Sequence, residues 1–402
     1  MISPTAPGGY PQGGYYQQHP PQQGQWPPPS QNPYGQPPPG QYGAPQPHPP
    51  QSYGHSPAPP PQGSPYGGGG GGGYAPPQVP PTPPSLGYGP PQMIQWDGAA
   101  DAQALRSAMK GFGTDENTLI RVLATKDPLQ VEVLRTTFDR TFGRKLIDDI
   151  KKETSRYFER GLVQLARGPL LADAHNIYEA LTGVGTKEVV MNDVLLSRSN
   201  ADLRAIKGAY QHAFRRSLED DVKHNLSMKT ERHFLMVLAA NRAEDAAPVI
   251  PQQVEDDVLN IYKATEGKVG TDELLVCSIL SARNDNQIRA ISHTYRRKFS
   301  RELSAVIKSE FSGHMEDALL HQLRHAEDKY MHAAKLLEDT MAGPGTKDFL
   351  LVNRIVQFHW SRNDMANIKG AYQQRYRRTL ASRVRGEVSG DYERLMVACI
   401  GE

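Results

Sequence analysis

The fold is decided by the stretch Met109-Lys-Gly-Phe-Gly-Thr-Asp-Glu116, because three variants of it recur later in the chain. The other copies are Gly183-Val-Gly-Thr-Lys-Glu188, Lys268-Val-Gly-Thr-Asp-Glu273 and Gly343-Pro-Gly-Thr-Lys-Asp348. Their second glycines are separated by 72, 85 and 75 residues, and each of these periods is long enough for several helices. The four copies therefore predict four similar modules.

The composition of the chain changes at Asp97. Residues 1–96 contain no Asp, Glu, Lys or Arg, and they carry 29 of the 34 prolines, nine tyrosines and an unbroken glycine run at 67–73. Such a segment cannot bury enough apolar surface to offset its chain entropy, so we predict a disordered tail. Its spaced tyrosines favour self-association or docking of a protein partner, and an inert spacer is the alternative.

Residues 97–402 have an ordinary globular composition, and 306 residues suit several modules better than one core. The charges nearly cancel, 45 Lys and Arg against 43 Asp and Glu, so no specific nucleic-acid partner is expected. Cys277 and Cys399 lie in apolar stretches, which is not typical of a disulfide scaffold. Neither a signal-peptide pattern nor a run of about 18 apolar residues occurs, so we predict a cytoplasmic protein without a transmembrane segment.

Apolar residues recur at helical spacing in every module, and all five prolines after residue 96 fall at proposed loops. The clearest pattern is a stripe with steps of four residues, which reads Leu134/Phe138/Phe142/Leu146/Ile150, Ile206/Tyr210/Phe214/Leu218/Val222, Ile291/Tyr295/Phe299/Leu303/Ile307 and Ile368/Tyr372/Tyr376/Leu380/Val384. We predict these side chains to be core, and four or five helices in each module. The predicted segments are a tail at 1–96, repeats at 97–168, 169–240, 254–327 and 328–402, and a linker at 241–253.

A carboxylate follows three of the glycine loops at nearly constant spacing. Glu153 and Glu310 lie 40 residues after the second glycine of their loops, and Glu387 lies 42 residues after its own but in register along the stripe. Ca²⁺ binds six to eight oxygens, from carbonyls and a carboxylate that is often bidentate. For one copy alone, a glycine turn with a surface acid that caps the next helix is the simpler interpretation. Recurrence in register favours a Ca²⁺ site.

The threonine of each loop is predicted to be the N-cap of the helix that follows. These threonines are Thr114, Thr186, Thr271 and Thr346.

The combination of GxGT loops and a carboxylate about 40 residues later resembles the annexin family, in its fungal type with a long Pro/Gly/Tyr/Gln-rich tail. The resemblance covers residues 97–402. It implies an all-α curved disc of four repeats with about five helices each. It also implies Ca²⁺ on the convex face, bound by loop carbonyls and a bidentate acid, with lipid phosphate completing the coordination.

Carried onto this chain residue by residue, the resemblance implies three sets of metal ligands. They are the carbonyls of Met109, Gly111 and Gly113 with Glu153, those of Lys268 and Gly270 with Glu310, and those of Met341, Gly343 and Gly345 with Glu387. The second repeat departs from the pattern because Asn225 replaces the acid, so Leu181, Gly183 and Gly185 are expected to form a weak or empty site. Possible minor Ca²⁺ sites are implied at Glu159, Glu231, Glu316 and Glu393, with a solvated or capping acid as the equal alternative.

Apolar residues occupy the loop tips, where a soluble turn is usually polar. We predict membrane insertion for Phe112, Val184 and Val269, with packing of Phe112 on its own module as the alternative. Pro344 is the corresponding residue of the fourth loop.

The sequence therefore predicts Ca²⁺-dependent, reversible binding to anionic phospholipid membranes of the phosphatidylserine type. The protein would be peripheral on the cytosolic face and act in membrane organisation or trafficking. No HExxH or GxxxxGK[ST] motif occurs, so we do not expect an enzyme. The alternative function is a Ca²⁺-independent helical-repeat scaffold that recruits proteins or RNA through its tail.

Overall fold

The computed structural model describes residues 79–183, 186–267 and 269–402, and all regular structure in them is α-helical. The first repeat contains α1 (Ala99–Ala108), α2 (Glu116–Leu123), α3 (Pro128–Phe142), α4 (Leu146–Glu153) and the first half of α5 (Arg156–Thr182). The second contains the rest of α5 with α6 (Glu188–Leu195), α7 (Asn200–Phe214), α8 (Leu218–Asn225) and α9 (Met228–Leu238). The third contains α10 (Pro251–Ala264), α11 (Glu273–Ala282), α12 (Asp285–Phe299), α13 (Leu303–Glu310) and α14 (Gly313–Glu327). The fourth contains α15 (Lys329–Met341), α16 (Asp348–His359), α17 (Arg362–Tyr376), α18 (Leu380–Arg385) and α19 (Gly390–Ile400).

The all-α prediction is confirmed, and each repeat has five helices. The predictions made for residues 1–78 lie outside the described part of the chain, as do those for Val184, Gly185 and Lys268.

Four of the five stripe positions are buried in each repeat, as predicted, and the stripe spans two helices. The middle position is only partly buried, at Phe142, Phe214, Phe299 and Tyr376. In the first repeat Leu134 and Phe138 lie in α3, whereas Leu146 and Ile150 lie in α4, and all four are buried. A residue with left-handed backbone separates the two helices in every repeat. These residues are Gly143, Arg215, Ser300 and Arg377, with φ of 61°, 58°, 53° and 58°.

Helix α5 joins the first two repeats through a kink. Gly168 has φ 72° and ψ 173°, so it leaves the helical conformation just before Pro169. Proline has no N–H to donate, and glycine tolerates the left-handed region, so the pair bends the helix at the predicted boundary between repeats.

The hydrophobic core links the first repeat to the fourth. Their buried residues form one cluster, whereas the second and third repeats each have a cluster of their own. Helices α5 and α19 approach closely at Gly161, where a Cβ atom would lie 2.7 Å from Leu395 Cδ2.

The segment predicted as a linker, 241–253, is hydrogen-bonded to both of the repeats that it joins. Asn200 Nδ2 donates to the carbonyl of Arg242 at 2.8 Å, and Asn284 Nδ2 donates to the carbonyl of Glu244 at 2.8 Å. The segment is therefore a bracket between the second and third repeats.

Residues 79–96, which composition assigns to the tail, form a strap packed against the helices. Thr82 N donates to Glu244 Oε2 at 2.7 Å, Ser85 N and Oγ donate to Asp202 at 2.8 and 2.6 Å, and Tyr88 OH donates to Asp173 Oδ2 at 2.6 Å. The strap has no charges of its own, so its composition gives no sign of order. It is ordered because the carboxylates that hold it lie on the second repeat and on the bracket.

Replacing Tyr88 by Phe should lower the free energy of unfolding by about 1–2 kcal/mol, since it leaves a buried carboxylate without one hydrogen bond. Tyr88 is 6% exposed, and Asp173 keeps its second partner, Arg198 Nη2 at 2.7 Å. Urea unfolding of the full chain measures the change. Tyr157→Phe is the matched control, because the Tyr157 hydroxyl makes no hydrogen bond to the described residues. Equal stabilities of the two variants would contradict a holding role for the strap.

Candidate calcium-binding loops

The acid of each proposed site lies at the carboxyl end of the fourth helix of its repeat. Glu153 and Glu310 are the last residues of α4 and α13, and Glu387 directly follows the C-cap of α18, Gly386. A helix carboxyl end has unpaired carbonyls and the negative pole of the helix dipole, so a carboxylate there adds to a negative potential. This position suits a bound cation.

The helix that follows each acid is not capped by it. Serines occupy the N-cap positions of those helices. The described residues show no hydrogen bond from a backbone N–H to any of the three carboxylates. The simpler interpretation of the acids as caps therefore has no support in the structure.

The prediction that the loop threonines are N-caps is wrong. The N-cap is the next residue in each case, Asp115, Lys187, Asp272 and Lys347. The threonine hydroxyls instead tie each loop to the acid position across the repeat. The bonds run from Thr114 Oγ1 to Glu153 O (3.2 Å), Thr186 Oγ1 to Asn225 O (3.1 Å), Thr271 Oγ1 to Glu310 Oε2 (2.7 Å) and Thr346 Oγ1 to Glu387 Oε2 (2.8 Å).

The loop glycines of the first, third and fourth repeats have left-handed backbone. Their φ values are 108° and 86° at Gly111 and Gly113, 85° at Gly270, and 95° and 78° at Gly343 and Gly345. A Cβ at any of these positions would meet nothing within 4 Å, so glycine serves the backbone conformation and not close packing. The second loop differs, because Gly183 has φ −72°.

The third loop is one residue longer than the others. Asp115 N donates to Ala108 O at 3.0 Å in the first repeat, and Asp272 N donates to Ala264 O at 2.7 Å in the third. Met109 follows the first alanine and Thr265 the second, so Thr265 carries the carbonyl that corresponds to Met109. Sequence reasoning assigned only two carbonyls to this loop. Counting from the alanine at the end of the preceding helix would have found the third.

The donor sets of the first and third repeats fit a hard cation. The Glu153 side chain is exposed, and its carboxylate has no hydrogen bond or ion pair within the described residues. The Glu310 carboxylate accepts from the Thr271 hydroxyl and has no other partner in the part of the chain that the structure describes. No group of three or more His, Cys, Asp or Glu side chains suited to a metal occurs in the described parts of the chain. A site in which backbone carbonyls supply most of the oxygens has only one such side chain, so it does not form a group of this kind.

The donor set of the second repeat does not fit. Asn225 Nδ2 donates to the carbonyl of Asp221 at 2.8 Å, so its amide is turned back onto its own helix. Of the three carbonyl donors predicted for this repeat, the structure describes those of Leu181 and Gly183, and neither residue has a charged side chain.

The fourth repeat has a cation of its own between the predicted ligands. Arg383 Nη1 donates to Glu387 Oε1, and Arg383 Nη2 donates to the carbonyl of Met341. The guanidinium therefore bridges the acid and one carbonyl of the set predicted from the sequence. As arranged in this structure, these ligands do not fit a metal ion.

A second carboxylate fixes the helices around each site, and it is buried in the first and second repeats. In the second repeat Asp221 accepts from Tyr210 OH at 2.7 Å and from Arg216 Nε at 2.9 Å. Burial alone would raise the pKa of Asp221, but the hydrogen bonds from Arg216 and Tyr210 outweigh it and lower that pKa. In the first repeat Asp149 accepts from Arg144 at 2.7 and 2.6 Å, and these bonds lower the pKa of Asp149.

In the third and fourth repeats the equivalent carboxylate comes from the carboxyl end of the first helix of the repeat. Glu266 directly follows the C-cap of α10 and accepts from Tyr295 OH at 2.6 Å and from Arg301. Glu338 in α15 accepts from Tyr372 OH and, at 3.1 Å, from Arg378 Nη2. The sequence shows this change at the position four residues before the acid of each site. That position is an aspartate in the first two repeats and is not acidic in the others, as Asp149, Asp221, Val306 and Arg383 show. Comparing that position among the repeats would have singled out Arg383.

The predicted loop tips are apolar and fully exposed where they are described. Phe112 is 110% exposed and Val269 is 104% exposed, and Pro344 is also exposed. Packing of Phe112 on its own module, the alternative from the sequence, is not what the structure shows.

The acids of the possible minor sites lie in the first turn of the last helix in each repeat, where the helix dipole favours a negative charge. They are Glu159, Glu231, Glu316 and Glu393. Metal binding at these four positions stays a prediction.

A protein-family model described as Annexin matches residues 100–165, 172–237, 256–321 and 332–399. The chain belongs to the annexin family. The family is known for calcium-dependent phospholipid binding and is not enzymatic. Among the helices described for this annexin, none is both long and apolar enough to cross a bilayer.

Several curated annexins are similar to this one. Annexin C1 of Cryptococcus neoformans var. grubii is 40% identical over 326 residues, which are 80% of this chain and 68% of that protein. Human annexin A7 is 36% identical over 307 residues, or 76% of this chain, and the match spans 62% of annexin A7.

Solved annexin structures share the fold of the repeats. Annexin III matches with a TM-score of 0.73 and 29% identity, covering 79% of this chain and 98% of that one. Calcium-bound annexin (Sm)1 matches with a TM-score of 0.68 and 26% identity, covering 77% and 92%.

Glu153→Gln and Glu310→Gln should each raise the Ca²⁺ concentration needed for half-maximal vesicle binding. An amide has one oxygen and no charge, and a loss of about 1.5 kcal/mol of charge-assisted binding corresponds to roughly a tenfold shift. Sedimentation of the full chain with phosphatidylserine vesicles over a Ca²⁺ titration measures the midpoint. Asp148→Asn is the control, because it removes the same charge from the opposite end of α4, where the side chain is exposed. A shift as large for Asp148→Asn would show a general charge effect and sink the site assignment.

Proposed function

We propose that this annexin binds anionic phospholipid membranes reversibly and in a Ca²⁺-dependent manner through the loops of its first and third repeats. The observation that carries the proposal is the shared geometry of these two loops. Each combines left-handed glycine backbone, a threonine tie across the repeat, and a carboxylate at a helix carboxyl end without a cationic partner among the described residues. We place the ligands on the carbonyls of Met109, Gly111 and Gly113 with Glu153, and of Thr265, Lys268 and Gly270 with Glu310.

When bound, Ca²⁺ supplies a positive charge that can join the loop oxygens to a lipid phosphate. The loops supply fixed carbonyls, and the acid supplies charge. One carboxylate per site suggests weak intrinsic affinity, on the order of 10⁻⁴–10⁻³ M. A leaflet at about −30 mV concentrates a divalent ion roughly tenfold, and two sites on one chain add avidity.

The exposed tips extend the same surface into the membrane. Phe112 and Val269 each lie next to the second glycine of a proposed site, so a loop that meets lipid phosphate brings an apolar side chain to the acyl boundary. We place this activity in membrane organisation or trafficking on the cytosolic face of membranes. The tail would add self-association or partner docking.

Full-length protein should sediment with phosphatidylserine/phosphatidylcholine vesicles in Ca²⁺ and return to the supernatant with chelator. Phosphatidylcholine vesicles are the control for anionic charge. Equal sedimentation with and without chelator would replace this function by a Ca²⁺-independent scaffold.

Phe112→Ala and Val269→Ala should each raise the vesicle concentration needed for half-maximal binding in Ca²⁺, by roughly tenfold for Phe112, because burial of such a side chain is worth about 1.5–3 kcal/mol. The thermal midpoint should not change, since both side chains are fully exposed. Met93→Ala is the matched control, because Met93 is 103% exposed but lies on the strap. Variants that bind like Met93→Ala would show that the tips stay in water.

A further inference from the structure

The fourth repeat has a glycine loop, a threonine hydrogen bond and an acid like those of the first and third repeats, but a cation lies beside its acid. Gly343 and Gly345 have the same left-handed backbone, and Thr346 Oγ1 donates to Glu387 Oε2 at 2.8 Å. The other carboxylate oxygen, Oε1, accepts from Arg383. A bidentate metal ligand needs both oxygens, and here one of them has a cationic partner.

The Arg383 guanidinium lies where two predicted ligands converge. One terminal nitrogen donates to Glu387 and the other to the carbonyl of Met341, the residue that ends α15. The side chain is 13% exposed, and Nε lies 3.5 Å from Glu338 Oε2. A planar guanidinium presents its donors in a fixed fork, so it can join an acid and a carbonyl that a spherical ion would otherwise join.

No other repeat places a cation at this point within the described residues. The residue four positions before the acid is Asp149 in the first repeat, Asp221 in the second and Val306 in the third. In the fourth repeat the structural carboxylate is Glu338, which already accepts from Tyr372 and Arg378. Arg383 therefore does not supply the structural carboxylate as Asp149 and Asp221 do, and both of its terminal nitrogens are directed at the loop and its acid.

We propose that Arg383 is a built-in competitor of Ca²⁺, which neutralises Glu387 and keeps the fourth-repeat loop bound to the protein's own guanidinium. The site takes a divalent ion only when this side chain swings away. The proposal rests on the proposed function, since it deepens how the same kind of site is used. It predicts that the first and third repeats respond to Ca²⁺ first.

The size of the effect follows from the fraction of time that the ligands are free. An apparent dissociation constant equals the intrinsic constant divided by the competent fraction, so a competent fraction of about one tenth weakens Ca²⁺ binding about tenfold. Because the competitor is tethered four residues from the acid, its local concentration is fixed by the chain and is not supplied by the buffer.

The test compares Arg383→Ala with Arg385→Ala in the full chain. Arg385 is exposed and lies two residues from Arg383. Its substitution by alanine removes the same charge, so this variant controls for long-range electrostatics. Isothermal titration with Ca²⁺ alone gives the number of sites, and vesicle sedimentation gives the Ca²⁺ midpoint. Arg383→Ala should add one site and lower the midpoint, whereas Arg385→Ala should leave both as in the unaltered chain. Adding Glu387→Gln to Arg383→Ala should abolish the gain.

Equal site numbers for Arg383→Ala, Arg385→Ala and the unaltered chain would overturn the proposal while leaving Ca²⁺ binding by the other repeats intact. If the unaltered chain binds neither Ca²⁺ nor vesicles, the proposed function fails, and a gain in Arg383→Ala is still measurable. Glu338 keeps Tyr372 and Arg378 without Arg383, so the variant should fold. Arg383→Lys is the second variant, because an ammonium lacks the fork and should give an intermediate midpoint; a midpoint equal to that of the unaltered chain would count against bridging.

Discussion

Each repeat depends on one carboxylate that receives an arginine from the turn between its third and fourth helices, and this carboxylate is buried in the first two repeats and partly buried in the other two. The turn is made by a left-handed residue, and the arginine next to it in sequence, such as Arg144 or Arg216, reaches Asp149 or Asp221. A buried carboxylate without such partners would be costly, so the contact fixes how the fourth helix leaves the turn. The carboxyl end of that helix carries the acid of the site. The structural pair therefore sets the distance between the acid and the glycine loop.

The same pair can be built with the carboxylate on either of two helices, and this freedom changes the site. When the fourth helix supplies the structural carboxylate, as Asp149 and Asp221 do, the position four residues before the site acid is not available for another side chain. When Glu266 or Glu338 supplies the carboxylate from the loop side, the position four residues before the site acid is released. The third repeat fills it with Val306, which is buried, and the fourth fills it with Arg383, which turns to the loop. The helix that supplies the structural carboxylate thus determines whether a side chain such as Arg383 can reach the loop.

The sequence was sufficient for the features that repeat. Stripe spacing predicted the helices and the core, and the recurrence of glycine and acid predicted which loops and carboxylates come together. Sequence reasoning failed where a side chain has two possible partners, and where an uncharged segment is held by charged residues elsewhere in the chain. The hydroxyl of Thr271 could cap a helix or reach Glu310, and only the path of the chain selects the second. The strap has no charged residue, so its order depends on Asp202 and Glu244, which lie more than 100 residues away.

Two loops can bind one membrane together only if their repeats keep a fixed relative position. Polar contacts between the repeats hold that position. Arg354 of the fourth repeat pairs with Asp193 of the second at 2.7 Å, and both are buried. Breaking such a pair leaves an unpaired buried charge, which makes the arrangement of the repeats specific. The strap contacts the bracket at Glu244, and at Gly87, whose φ is 87°, a Cβ would lie 2.8 Å from Pro169 Cγ at the kink of α5. The strap therefore contacts both connections that lie between the first and third loops in the chain, the kink of α5 and the bracket. Loosening the strap should cost avidity before it costs Ca²⁺ affinity at either loop, because no ligand of either site lies on it.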